Sequence, residues 1–116
     1  MGWFRKRPTE AQLELIVLRA ATVAKAQERD SSKPSSSEDI RGFLELAHRE
    51  LNLKPDSKQE KFCKAAVQAL LSEGDFLDEV LQYQLSQPAG TPIPGEFRSK
   101  MLRVIQDSVN GFLQSR

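Results

Sequence analysis

One cysteine and one histidine in 116 residues remove whole classes of chemistry before any pattern is read. A lone cysteine closes no disulfide within the chain, which fits a reducing compartment and a fold held by its core. A structural zinc takes four Cys or His ligands, and Cys63 with His48 supplies two. No run approaches the ~20 consecutive apolar residues that span a bilayer. Arg5-Lys6-Arg7, Leu15 to Leu18 and Ala24-Lys25-Ala26 imitate the three regions of a secretory signal. Glu10, Glu14 and Arg19 interrupt the apolar part, and a signal is not expected. Lys6 likewise stands where a myristoylation motif wants Ser or Thr. Charge of either sign is not in excess: 17 Lys and Arg face 16 Asp and Glu. Any pull on nucleic acid or anionic lipid must then come from a local patch.

What is present is helix signal. Thr9 and Gln12 form the two ends of a capping box, and the residues to about Arg29 contain no Gly or Pro. Leu13, Ile16, Val17, Ala20 and Ala24 mark one face at helical spacing. Leu15, Leu18 and Val23 lie off that stripe, so this helix needs several neighbours or a second chain to cover it. A Ser-rich stretch with Pro34, residues 30–37, reads as a flexible connection. A second helix is expected from near Ser37 to before Pro55, with Ile40, Phe43, Leu44, Ala47 and Leu51 as its stripe. A third opens on the box Ser57-Lys-Gln-Glu60, turns Phe62, Ala66, Ala69 and Leu70 inward, and ends on Gly74 in a left-handed cap. A fourth begins at about Asp75 and carries Phe76, Leu77, Val80, Leu81 and Leu85. After the Pro/Gly loop of residues 87–95, a fifth runs from about Glu96 to Gln114 with Met101, Leu102, Ile105, Val109, Phe112 and Leu113 buried. The expected fold is all-α: a compact bundle of about five helices, residues 9–116, behind a short aromatic and basic N-terminal arm, residues 1–8.

Candidate chemistry is sparse. His48 precedes Arg49-Glu50 on a charged flank and reads as solvated, while Cys63 reads as a small, partly buried core residue. Asp75, Asp78 and Glu79 are explained by the helix dipole and lack the EF-hand spacing. The same acidic run argues against a DNA-reading helix after Gly74. Lys58, Lys61 and Lys64, and Arg98, Lys100 and Arg103, read as solvated flanks. No catalytic residue, cofactor, metal or small-molecule substrate is expected.

Binding is the remaining class of function. The first expectation is a non-catalytic protein–protein interaction module, an adaptor or regulatory subunit, whose partner is another protein or a second copy of itself. Leu15 and Leu18 of the first helix and Ile93, held between Pro92 and Pro94, are its candidate contacts. The alternative uses the arm. Trp3, Phe4, Arg5, Lys6 and Arg7 combine aromatic rings with three consecutive cations, which suits a membrane surface or nucleic acid. The expected location is cytoplasmic, with peripheral membrane attachment under the alternative.

Overall fold

Five helices are built from the expected segments in the computed structural model, which describes residues 5–88 and 94–114, with side chains through Asp107. They are α1 (Glu10–Ser31), α2 (Ser37–Glu50), α3 (Ser57–Ser72), α4 (Gly74–Ser86) and α5 (Gly95–Gln114). Each of the first three starts on a full capping box. Thr9 pairs with Gln12, Ser36 with Asp39 and Asp56 with Gln59, so orphan N–H groups at each start are satisfied reciprocally.

The last of these is shifted by one residue from the Ser57/Glu60 box that the sequence suggests. Asp56 accepts from the Gln59 N–H at 2.8 Å and the Gln59 side chain accepts from the Asp56 N–H at 3.1 Å. Asp is an equally good cap, and taking it leaves the preceding Pro55 buried. Gly74 is also not a left-handed cap. It is the first residue of α4, and Glu73, at φ −98°, is the only residue between the two helices. Left-handed backbone occurs instead at Ser32 and Asn52. Ser32 ends α1, donating its N–H to Glu28 O at 2.9 Å. The Ser-rich stretch thus shrinks to residues 32–36, and Ser35 ties it back by donating its N–H to Glu28 Oε2 at 3.0 Å.

α1 and α3 form the centre. α1 packs on α2, α3 and α4, while α3 touches all four other helices and carries α5. Ile16, Val17, Val67, Leu70, Leu77 and Val80 are among the largest apolar side chains buried completely there. Three buried alanines on α1 (Ala20, Ala21, Ala24) allow close approach of its neighbours. The inward face of α3 is rotated from expectation. Cys63, Ala66, Val67 and Leu70 are buried, whereas Phe62 is half-buried. On α5, Met101 and Ile105 are buried and Phe97 meets Phe76 and Tyr83 of α4 edge-on, at 6.1 and 5.7 Å between ring centroids. The expected burial of Val109, Phe112 and Leu113 lies outside the described side chains. Leu85, expected in the α4 stripe, is 75% exposed because it falls in the last turn of that helix, beyond its neighbours. No helix among the described residues is long and apolar enough to cross a membrane.

Candidate functional site

Two cations of the N-terminal segment, Arg5 and Arg7, are engaged with the bundle. Residues 5–8 run beside the connection between α2 and α3, where Lys6 and Leu53 form a single parallel bridge. Lys54 donates its N–H to Lys6 O at 2.8 Å, and Gln59 donates its side-chain N–H to Pro8 O at 3.1 Å. Arg5 sits 3.4 Å from Glu45, and Arg7 sits 3.4 Å from Asp56. Burial works to raise the Glu45 carboxyl, but hydrogen bonds and charge from Arg49 and Arg5 outweigh it and hold the carboxyl below its ordinary value. The Gln59 N–H does the same for Asp56, against slight desolvation, with Arg7 adding to it. The segment is therefore a docked strap with two of its three charges paired. Trp3 and Phe4, which would have to lead any lipid or base contact, lie outside the described residues, as does Ile93.

Leu15 and Leu18 line one groove but differ in exposure. Leu18 is 3% exposed and belongs to the core, because α2, α3 and α4 surround α1 on three sides. It lies at the base of the groove beside Leu15, and most of the surplus apolar surface of α1 is covered by the same neighbours. Leu15 is 60% exposed. Beside it lies a groove of about 270 Å³ between α1, α2 and α4, lined by Leu15, Ile16, Leu18, Ala47, Leu51 and Gln84, with the Arg19–Glu50 ion pair (3.8 Å) at its edge. Leu51, 48% exposed, forms the other lip. It was expected to be buried as part of the α2 stripe. The helix stops at Glu50, and Leu53 turns into the core in its place.

His48 overturns its expected place in solvent. It is 1% exposed, and its Nδ1 lies 2.7 Å from Leu44 O. A carbonyl only accepts, so Nδ1 carries a proton, and in the neutral ring Nε2 is left with a lone pair. That lone pair finds no partner among the described residues. His48 and Cys63 line the same cavity of about 210 Å³ between α2 and α3, yet no hydrogen bond joins them. Burial, aided by the charge of Glu60, pushes the Cys63 thiol up to about 12. A thiolate–imidazole pair is not formed. The expected consequence is that Cys63 in the native protein at pH 7.5 resists a disulfide reagent and reacts only on unfolding. Stoichiometric reaction within seconds under native conditions would contradict that. Among the described residues no group of three or more His, Cys, Asp and Glu is placed to hold a metal ion, so Asp75, Asp78 and Glu79 form no such cluster.

Comparison with known proteins finds no matching family, no matching curated protein and no matching solved structure.

Proposed function

We propose that this chain is a non-catalytic helical protein–protein interaction module, an adaptor or regulatory subunit, that binds through the groove between α1 and α2. The observation that carries this reading is the pair of exposed leucines, Leu15 and Leu51, standing on either side of an apolar groove. Single exposed leucines are ordinary on a protein surface, but two lips over one apolar depression make a contact that anchors a partner side chain. Self-association through the same groove is the homodimeric form of this proposal. A cytoplasmic location accords with the single, buried, unpaired cysteine. The reading through the basic segment is less supported, since Glu45 and Asp56 already neutralise Arg5 and Arg7.

The double variant Leu15→Ser/Leu51→Ser tests the proposal. Both positions are exposed, so stability should change by less than about 1 kcal/mol. Sedimentation at high protein concentration, and quantitative capture of partners from cell extract, should both be compared with the wild type. The variant is expected to lose the self-association or the captured proteins that the wild type shows, while Arg5→Ser/Lys6→Ser/Arg7→Ser keeps them. A monomeric wild type whose captured proteins all survive the leucine substitutions would overturn the groove as the interface. Loss confined to the basic variant, and abolished by salt, would favour the strap instead.

A further inference from the structure

A second depression lies on another side of α1. α1 and α5 each pack on α3 rather than on each other, so a cleft remains between them with α3 as its floor. Arg98 of α5 closes one end by pairing with Glu14 of α1 at 3.1 Å. Beyond that pair the cleft opens to about 570 Å³, within the range of ~300–1,000 Å³ that binding clefts occupy. Its apolar lining comes from Leu13, Phe62, Leu102 and Ile105, one or two residues from each of the three helices. Leu13 and Ile105 are buried, while Phe62 and Leu102 are half-buried and present apolar surface to the opening.

Arg98 stands at the closed end of the cleft, and the charges that line the rest are of one sign. Among the described residues, the ionised groups that line it are Glu10 and Glu14, both on α1. Glu14 is shared with Arg98, but Glu10 has no ion pair among the described residues. An apolar floor between helices, with carboxylates one turn apart along a single wall, matches a helix that carries leucine-like anchors on one face and Lys or Arg beside them. An anionic membrane is repelled by the same wall. We infer that the α1–α5 cleft is a docking groove for a cationic amphipathic helix of another protein. The inference rests on the reading of the chain as an interaction module and gives it a second, chemically distinct surface. α1 then serves both surfaces, with Leu15 on one side and Leu13 on the other.

Two synthetic peptides separate the outcomes. Each has leucines at i, i+3, i+4 and i+7; one is filled with Lys and the other with Glu. Methyl NMR of the whole chain follows their binding. The Leu/Lys peptide is expected to shift the methyl signals of Leu13, Leu102 and Ile105, and the Leu/Glu peptide to leave them in place. Glu10→Lys, at an exposed and unpaired position, should weaken the Leu/Lys peptide by about fivefold, the effect of reversing one rim charge. Circular dichroism checks that this variant remains folded. Equal binding of both peptides, unchanged affinity in Glu10→Lys, or no shift in peptide excess at low salt would each overturn the inference. Shifts at Leu15 and Leu51 instead would also overturn it, while leaving the α1–α2 groove as the interface.

Discussion

Leu70→Ala is expected to destabilise the protein by about 3–4 kcal/mol, and Leu85→Ala by less than about 0.5 kcal/mol. Both residues are leucines in the last turn or so of a helix, so intrinsic helix propensity is nearly equal for the two substitutions. Burial separates them. Leu70 is 0% exposed on α3, the helix that touches all the others, whereas Leu85 is 75% exposed. Removing the Leu70 side chain costs its transfer free energy and leaves a cavity that the packed surroundings only partly fill. A domain of this length has a total stability on the order of 10 kcal/mol, so one substitution takes a large share of it. The midpoint of thermal unfolding should fall by roughly 15 °C. Urea unfolding followed by circular dichroism measures both variants on one scale. Similar losses for the two would mean that α3 is not the central helix of the bundle.

The number, order and approximate limits of the helices were legible in the sequence because each signal was local. Capping residues, prolines and apolar spacing act within a few positions of themselves. Which face of a helix turns inward was less legible, since that depends on how many neighbours the helix has. On α3 the apolar positions include Phe62 and Cys63 side by side, and composition alone favours the larger one. The structure buries Cys63, because a helix that touches four others needs small residues where they approach, as Ala66 also shows. α1 makes the complementary case. Its broad apolar surface implies either many neighbours or a partner, and three packed helices account for all of it except Leu15 and Val23. The candidate groove keeps Leu15 and Leu18 and adds Leu51, a residue assigned to the core by periodicity. The α1–α5 cleft left no trace in the sequence. It exists because two helices sit on a third and meet at the Glu14–Arg98 ion pair rather than along their lengths, a relation no single segment encodes.

His48 yields the second large effect, and it runs in the opposite direction. Its position was readable: it stands four residues after Leu44 and eight after Ile40, on the buried stripe of α2. The charged neighbours Arg49 and Glu50 obscured this, although neighbours in a helix point to different faces. Burial leaves the ring with one good hydrogen bond, from Nδ1 to Leu44 O, and one acceptor, Nε2, without a donor. An unsatisfied buried acceptor costs about 1–3 kcal/mol, more than the ~1 kcal/mol that a typical hydrogen bond returns. Leu44 O, the carbonyl four residues back, keeps its place in the helical ladder when the imidazole is removed. His48→Leu is therefore expected to stabilise the protein by about 1 kcal/mol, raising the unfolding midpoint by roughly 4 °C. The ring can also be watched directly. It is the only imidazole in the chain, so its ¹⁵N spectrum should show one protonated nitrogen, Nδ1, and one bare nitrogen, Nε2. A loss of stability in His48→Leu, with an Nε2 signal displaced by hydrogen bonding, would mean that a donor reaches this nitrogen in solution. The cavity that His48 shares with Cys63 would then be hydrated, and the cost of burying the ring would vanish with it.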